Sequence, residues 1–280
     1  MISSEIPSGV RRDIQRALDE DIGPGDITTS LLIPDDDISR GRFIAKETFI
    51  LAGTPFARTA FQILNPALEW TSFFEDGDEL RKGDVIAEIS GETRVILTGE
   101  RVSLNILQRL SGIATLTRKY VEGIQGLKTR ITDTRKTVPG MRFMEKYAVR
   151  KGGGCNHRFG LFDGVLIKNN HLTAVGNIAE AVRRAKQAHH LTKIEVEVES
   201  LHELIQAMES GADIVMLDNM SVDDMRKAVR IVGGKILLEA SGGVSLDNVR
   251  EIASTGVDIV SVGALTRSAP GVDISLQLVK

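Results

Sequence analysis

The densest concentration of chemically useful side chains lies between residues 134 and 171. This segment reads TRKTVPGMRFMEKYAVRKGGGCNHRFGLFDGVLIKNNH. Its basic residues include Arg135, Lys136, His157, Arg158 and Lys168. Guanidinium groups bind carboxylates through paired hydrogen bonds, and charge-assisted hydrogen bonds contribute roughly 1.5–3 kcal/mol each. The segment predicts a pocket for a small ligand with several negative charges. A solvated basic face is the alternative, although Gly152–Gly154 favour a close-packed turn that directs the following side chains inward.

Glutamates at alternate positions form a second chemical signal. In IEVEVES, residues 194–200, alternation places Glu195, Glu197 and Glu199 on one face of a strand and two valines on the other. If the valines pack against helices, the glutamates point into the protein, where they require cationic or metal partners. Lys136 and Lys168 are the candidate partners. A solvated edge strand is the alternative.

Two glycine-containing segments are suited to binding phosphate. EASGG spans residues 239–243, SVGAL spans residues 261–265, and each ends an apolar run. Small side chains let backbone N–H groups approach phosphate oxygens, and α/β barrels often bind phosphate after their last two strands. Either segment alone could serve only to turn the chain. Their occurrence after successive strands predicts a phosphate site.

A repeat of short strands and amphipathic helices must position these segments. The predicted strands are ITDT (131–134), GVLI (164–167), IEVEV (194–198), DIVML (213–217), KILLEA (235–240) and DIVSV (258–262). Between them, apolar residues recur every three or four positions, as in crossover helices. Parallel strands joined by helices form an α/β barrel or a doubly wound sheet. Six strands predict an incomplete, six-stranded α/β barrel, whose catalytic groups would follow the carboxyl ends of the strands.

The chain before the segment GERVSLNILQ lacks this repeat and predicts a separate, sandwich-like α+β domain. The mixed pattern RGRFIAKETFILAG is followed by a helix-like FARTAFQIL and by DGDELRKGDVIAEISG, whose Gly-Asp pairs separate short strands. A long helix is predicted to begin near Gly99 and to link the domains. We predict an N-terminal domain over residues 1–110, on which the C-terminal tail could pack, and a barrel domain over residues 111–280.

The composition is that of an ordinary globular protein. The 280 residues are 42% hydrophobic, with 35 basic against 38 acidic side chains, which gives no general attraction for nucleic acid. The single cysteine, Cys155, excludes an intramolecular disulfide and a multi-cysteine metal site. Because no signal-peptide-like start or membrane-spanning apolar run is present, we expect a cytoplasmic protein. The sequence also lacks the motifs of P-loop enzymes, zincins and Rossmann dehydrogenases.

Together, these motifs make the chain resemble the quinolinate phosphoribosyltransferases, also called carboxylating nicotinate-nucleotide pyrophosphorylases. The resemblance runs nearly end to end. Its motifs are ALDEDIGPGDIT (17–28), GERVSLNILQRLSGIAT (99–115), DTRKTVPGMRFMEKYAVRKGGGCNHRFGLFDGVLIKNNH (133–171), EVEVES (195–200), MLDN (216–219), EASGG (239–243) and SVGALT (261–266). It implies an N-terminal α/β domain, an incomplete C-terminal barrel, and a homodimer with shared active sites. Whether dimers form hexamers stays open.

The resemblance also implies roles for individual residues. The pocket for the quinolinate carboxylates is expected to contain Arg101, Thr134, Arg135, Lys136, His157 and Arg158, with Arg101 supplied by the partner subunit. The 5′-phosphate is expected to contact Ser241, Gly242, Gly243, Ser261, Gly263 and Ala264. Glu197 and Asp218 are expected near the ribose and its Mg²⁺, either directly or through the substrate. The expected catalytic residues are Lys136, Lys168, Glu197 and Asp218, with Lys168 also contacting substrate or pyrophosphate.

The implied reaction joins the nitrogen of quinolinate to the ribose of phosphoribosyl pyrophosphate. It yields nicotinate mononucleotide for NAD biosynthesis, with pyrophosphate and carbon dioxide, and requires Mg²⁺ but no organic cofactor. Three alternatives stay open. One is a paralogue associated with molybdenum uptake that uses another acceptor, and a second is Schiff-base chemistry at Lys168, as in class I aldolases. The third is a non-catalytic binding module, which would leave the inward glutamates unexplained.

Overall fold

The computed structural model describes residues 6–279 and forms two compact units. The first contains the chain through Arg118, the segment Thr137–Gly153 and the segment that begins at Ser268. The second contains Lys119–Lys136 and Gly154–Arg267. The predicted domain boundary between residues 110 and 111 stays a prediction. Within residues 6–279, no helix is both long enough and apolar enough to cross a membrane.

Twelve strands and eleven helices occur in the described residues. The strands are β1 (Ile38–Ala45), β2 (Phe49–Ile50), β3 (Glu69–Ser72), β4 (Glu79–Leu80), β5 (Val85–Glu92), β6 (Arg130–Thr132), β7 (Val165–Ile167), β8 (Ile194–Val198), β9 (Ile214–Asp218), β10 (Leu237–Ser241), β11 (Ile259–Ser261) and β12 (Ile274–Val279). The helices are α1 (Ser8–Ile22), α2 (Ile27–Leu32), α3 (Thr54–Leu64), α4 (Thr93–Gly123), α5 (Arg142–Lys151), α6 (Asn169–Val175), α7 (Ile178–Ala185), α8 (Leu201–Ser210), α9 (Val222–Val232), α10 (Val249–Ala253) and α11 (Ala264–Arg267).

The first unit contains an antiparallel sheet in the order β12-β1-β5-β3 and the smaller pair β2-β4. Strand β1 alternates cleanly: Phe43 and Ala45 are buried, whereas Arg40 and Arg42 point outward, and Arg42 Nε donates to Glu88 at 2.9 Å. This period-two pattern gives the sheet one apolar face. Residues of α3 and α4 complete the core on that face. The prediction of an N-terminal α+β domain is confirmed.

Helix α4 begins at Thr93, so the predicted start near Gly99 is wrong. Thr93 opens the helix and its hydroxyl hydrogen-bonds Asp37 Oδ2 at 2.5 Å. Gly99 instead lies inside the helix, where a Cβ would approach Phe61 Cε1 to 2.7 Å. The glycine therefore marks a close contact between helix and aromatic core rather than a helix terminus.

The second unit contains six parallel strands in the order β6-β11-β10-β9-β8-β7, which confirms the incomplete barrel. Every predicted strand lies within two residues of its observed ends. Three of the following helices begin at side-chain caps, because Asn177, Ser200 and Ser221 each accept a backbone N–H three residues ahead. Parallel strands and capped helices thus alternate as the sequence repeat predicted.

The segment after the glycine triplet attaches to the edge strand β6. Cys155 forms a parallel bridge with Thr132, and its N–H donates to Ile131 O at 2.8 Å. The buried carboxylate of Asp133 then accepts hydrogen bonds from Asn156 Nδ2 at 2.6 Å and from the His157 N–H at 2.8 Å. These bonds place the side chains of residues 156–158 at the end of β6.

Candidate active site

A cavity of about 570 Å³ opens where the barrel strands end. Its lining residues are Thr134, Arg135, Lys136, His157, Arg158, Leu166, Lys168, Glu197, Met216, Asp218, Asn219, Glu239, Ser241, Gly242, Gly243 and Ser261. All the predicted site residues belong to this set except Arg101, Gly263 and Ala264. The cavity therefore brings together residues that are separated by more than one hundred positions in the chain.

The three exceptions differ in their positions. Gly263 lies beside the cavity wall, because a Cβ on it would approach Lys136 Cδ to 3.0 Å. Ala264 follows as the first residue of α11. Arg101 belongs to the first unit, where it is exposed and lines a different cleft with Asp26, among other residues.

Two guanidinium groups occupy the basic side of the cavity. Arg158 is partly buried, and burial, followed by the neighbouring Arg135, lowers its pKa. Its Nη1 donates to Gly164 O at 2.8 Å. Arg135 Nε is buried and has no hydrogen-bond partner within residues 6–279. The two positive charges lie close together, and the Nε–H of Arg135 has no acceptor among the described residues. A bound anion would therefore stabilise this site.

Carboxylates occupy the acidic side. Glu197 is only 8% exposed, and its Oε2 lies 2.5 Å from Lys168 Nζ. Burial, followed by the nearby Glu197, raises the pKa of Asp218. Lys168 is already paired with a buried carboxylate, whereas a Schiff-base lysine must present its amine to a carbonyl carbon. This geometry argues against the aldolase-like alternative.

The inward orientation of the glutamates is confirmed for two of the three. Strand β8 lies between β7 and β9, so the edge-strand alternative is wrong, and Glu195 and Glu197 are both buried. Glu199 lies beyond the strand and is exposed, where its Oε1 accepts from Asn169 Nδ2 at 2.5 Å. The glutamates were predicted to have cationic or metal partners, with two lysines as candidates, and Oε2 of Glu195 lies 3.0 Å from His157 Nε2.

The EASGG loop is locked to the end of the neighbouring strand. Gly242 has φ +89°, and a Cβ there would collide with Asn219 Oδ1 at 2.3 Å. Asn219 itself adopts φ 53°, and its N–H donates to Ser241 O at 2.9 Å. Only glycine fits this position, because any side chain would displace Asn219. The bare backbone at the cavity wall suits the approach of phosphate oxygens.

Asn219 and Glu239 line the cavity but were not among the predicted site residues. Both lie at or near the carboxyl end of a predicted strand, and the rule that catalytic groups follow strand ends pointed to them, although neither was assigned a role. Leu166 and Met216 carried no comparable signal, because apolar strand residues line cavities and cores alike.

Residues 26–111 match the family model of the quinolinate phosphoribosyl transferase N-terminal domain, and residues 113–277 match that of the C-terminal domain. A Bacillus subtilis protein named probable nicotinate-nucleotide pyrophosphorylase (carboxylating) is 44% identical over 92% of this chain and 90% of its own. A Nicotiana tabacum protein named quinolinate phosphoribosyltransferase (decarboxylating) 1b is 39% identical, over 95% of this chain and 81% of its own. The solved nicotinate-nucleotide pyrophosphorylase from Francisella tularensis is 45% identical, with a TM-score of 0.94 covering 99% of this chain and 98% of that one. The chain therefore belongs to the quinolinate phosphoribosyltransferase family.

Proposed function

We propose that this protein converts quinolinate and phosphoribosyl pyrophosphate to nicotinate mononucleotide, pyrophosphate and carbon dioxide, as a step of NAD biosynthesis in the cytoplasm. The observation that carries the proposal is the arrangement of one cavity. Paired guanidiniums, paired carboxylates and a glycine loop line the same space at the ends of parallel strands. Each group matches one part of the two substrates.

Arg135 and Arg158 would bind the ring carboxylates of quinolinate. A guanidinium fork matches a carboxylate geometrically, and each charge-assisted hydrogen bond contributes roughly 1.5–3 kcal/mol. Arg135 contributes a buried donor that lacks a partner among the described residues. Burial, followed by repulsion from Arg135, lowers the pKa of Arg158, and a dianion between the two arginines would offset that repulsion.

Glu197 and Asp218 would act on the ribose. Breaking the bond between C1 of the ribose and pyrophosphate develops positive charge on the sugar, and carboxylates fixed in advance stabilise that charge. Burial and the proximity of Glu197 raise the pKa of Asp218, so a cation between these carboxylates would be favoured. The nitrogen of quinolinate then attacks C1 from the face opposite to the leaving group.

Decarboxylation would follow from the product of that attack. With its nitrogen alkylated, the ring carries a positive charge and can accept the electron pair left when the adjacent 2-carboxylate departs as carbon dioxide. A proton then replaces the carboxylate at C2. The protein needs only to hold the other carboxylate and to limit the access of water.

The site also fits Mg²⁺ and a 5′-phosphate. Glu197 and Asp218 are oxygen donors of the kind that Mg²⁺ prefers, and they would hold the ion directly or through the substrate. When bound, Mg²⁺ would neutralise charge on the departing pyrophosphate, assisted by Lys136 and Lys168. Ser241–Gly243 would hold the 5′-phosphate, together with Ser261, Gly263 and Ala264.

Quinolinate labelled in its 2-carboxylate tests the proposal. Purified protein would be mixed with this compound, phosphoribosyl pyrophosphate and Mg²⁺, and labelled carbon dioxide would be followed alongside nicotinate mononucleotide. We expect release of both in equal amounts, with no product when either substrate is omitted. If neither product forms while phosphoribosyl pyrophosphate still binds, the acceptor is a different molecule, as in the molybdenum-associated alternative.

We also propose that the active unit is a homodimer in which Arg101 enters the partner's site. Supporting this, α2 in the first unit exposes Ile27, Leu31 and Leu32, whose exposed fractions are 74%, 79% and 71%. Ile27 lines the same cleft as Arg101. Exposed apolar side chains of this size are typical of surfaces that become covered in an assembly.

Mixing two impaired variants tests this arrangement. Arg101→Ala and Arg158→Ala would be purified separately, mixed, and allowed to exchange subunits, while ultracentrifugation reports the oligomeric state. If Arg101 acts across the interface, about a quarter of the sites in the mixture regain both arginines, because half of the dimers are mixed and each has one intact site. If Arg101 acts within its own chain, no activity returns.

A further inference from the structure

Glu195 and Glu239 form a buried acid pair for which the proposed mechanism has no use. Their exposed fractions are 4% and 1%, and each has an Oε1 atom without a hydrogen-bond partner within residues 6–279. They line a second cavity of about 230 Å³ in the second unit. His157 and Arg158 line both cavities, so they connect the acid pair to the proposed quinolinate pocket.

Both ring nitrogens of His157 are engaged inside the protein. Nε2 lies 3.0 Å from Glu195 Oε2 and 3.6 Å from Glu239 Oε2. Nδ1 accepts the backbone N–H of Arg158 at 2.8 Å. A nitrogen that accepts an N–H cannot itself carry a hydrogen, so this network assigns the hydrogen to Nε2, from which it is donated to Glu195. His157 is therefore a link between Glu195 and the backbone of Arg158.

The same three side chains could in principle hold a metal ion, since one ligand atom from each lies within 4.8 Å of the others. The bond at Nδ1 argues against that reading. A histidine bound to a metal through one nitrogen donates the N–H of the other nitrogen to an acceptor. Here Nδ1 faces the N–H of Arg158. If a metal ion bound through Nε2, Nδ1 would carry a hydrogen that points at the hydrogen of that N–H.

We propose that Glu195, supported by Glu239, is a positioning residue that fixes the backbone of Arg158 through His157. The chain of hydrogen bonds runs from the Glu195 carboxylate to the imidazole and on to the Arg158 N–H, while Asp133 holds the His157 N–H. The backbone of Arg158 is thus fixed at one end of the side chain, and its Nη1 donates a hydrogen bond to Gly164 O at the other. This assignment rests on the proposed function, and it makes His157 a link rather than a carboxylate ligand.

Steady-state kinetics of two Glu195 variants test the proposal. Glu195→Ala removes the acceptor for Nε2–H, and we expect the KM for quinolinate to rise about tenfold, as for one lost hydrogen bond, with the KM for phosphoribosyl pyrophosphate within about twofold. Glu195→Gln keeps an oxygen acceptor and should restore the KM for quinolinate to within about threefold. Glu209→Ala, an exposed acid at the end of α8, is the matched control and should change neither constant.

Nitrogen NMR of the histidine side chains provides a test that needs no change at Glu195. The chain has five histidines, so the His157 signals can be assigned by replacing the other four in turn. We expect the wild-type protein to have Nε2 protonated and Nδ1 unprotonated. The proposal is overturned if Nδ1 carries the hydrogen. It is also overturned if the wild type binds one equivalent of Zn²⁺ and Glu239→Gln does not bind it. In the kinetic experiment, it is overturned if Glu195→Ala leaves the KM for quinolinate unchanged or raises both KM values equally. Absence of turnover by the wild type would instead refute the proposed function, while the NMR result still judges the link.

Discussion

The two compact units treat buried carboxylates differently. In the first unit, Glu145 is fully buried, but its Oε1 lies 2.5 Å from Arg109 Nη2 and its Oε2 accepts the Val138 N–H at 3.2 Å. In the barrel, Glu195 and Glu239 each keep an oxygen without a hydrogen-bond partner in the described residues. The hydrophobic core of the first unit is apolar and aromatic, whereas the barrel has three buried glutamates, Glu195, Glu197 and Glu239.

The two units therefore differ in how completely their buried carboxylates are paired. When every oxygen of a buried carboxylate has a partner, those partners offset the cost of removing the charge from water. A carboxylate with an unpaired oxygen lacks part of that compensation and destabilises the fold. In the barrel these groups lie beside His157, where we propose that Glu195 positions Arg158. The first unit contains no comparable cluster in the part of the chain that the structure describes. Stability and activity should therefore respond to substitutions in different units.

Phe61→Ala should have the largest effect on stability. Phe61 is 1% exposed and contacts Phe43 and Trp70, with each pair of ring centroids 6.1 Å apart. Truncating a buried aromatic residue leaves a cavity and costs about 3–5 kcal/mol of unfolding free energy. Chemical denaturation measures this loss. We expect the KM for quinolinate to stay within about threefold of wild type while the variant is folded, and a larger change would contradict the separation of roles.

Glu197→Gln should lower kcat with a smaller effect on stability. The substitution keeps the shape of the side chain but removes the negative charge proposed to stabilise the ribose. Removing one electrostatic contact to a transition state typically costs about 10²–10³-fold in kcat. Steady-state kinetics with both substrates saturating measures it, with exposed Glu209→Gln as the control. A kcat within about threefold of wild type would exclude Glu197 from the chemical step.

Arg158→Ala should weaken quinolinate binding more than phosphoribosyl pyrophosphate binding. Only quinolinate offers ring carboxylates to this guanidinium, and the loss of one charge-assisted hydrogen bond costs roughly 1.5–3 kcal/mol. Calorimetric titration of each ligand measures the two affinities, and Arg135→Ala should behave in the same way. Arg183→Ala, on the exposed side of α7, serves as the control. Equal losses for both ligands would refute this division between the arginines and the glycine loop.

Glu239→Gln should produce the smallest effect, a change in how stability depends on pH. Burial, followed by the neighbouring Glu195, raises the pKa of Glu239 above its ordinary value of 4.5. The folded state then binds the proton more tightly, so this contribution to stability is complete below pH 4.5 and is lost as the pH rises through the raised pKa. The loss is at most about 1.4 kcal/mol per pH unit, the value for one proton.

Unfolding curves of the wild type and Glu239→Gln over a series of pH values measure that difference. We expect the glutamine variant to lose less stability than the wild type as the pH rises, since its side chain cannot ionise. Glu145→Gln would sharpen the comparison between units, because it also breaks the ion pair with Arg109 and should destabilise the protein at pH values at which Glu145 is ionised. Parallel curves for the wild type and Glu239→Gln would contradict the raised pKa.

Local patterns in the sequence were sufficient to predict the barrel. The six strands, their order along the chain and the polar residues at their ends follow from periodicity, which each segment carries in its own residues. Alternation predicted that Glu195 and Glu197 share one face of a strand, whereas the position of β8 inside the sheet excluded a solvated edge strand. The glycine segments were identified from their occurrence after successive strands, and their binding of phosphate stays a prediction.

The partners of these residues depended on the tertiary structure. Nothing near Glu195 in the sequence indicates that it meets His157. Gly242 requires glycine both because its φ is +89° and because Asn219 lies against it. Gly99 was misread as a helix start, since its true constraint is Phe61, on another helix. Strand β12 joins β1 from the opposite end of the chain. The sequence alone determined the elements and the chemistry they present, because both are local properties. Only the tertiary structure decided which charges meet, since that depends on packing between distant segments.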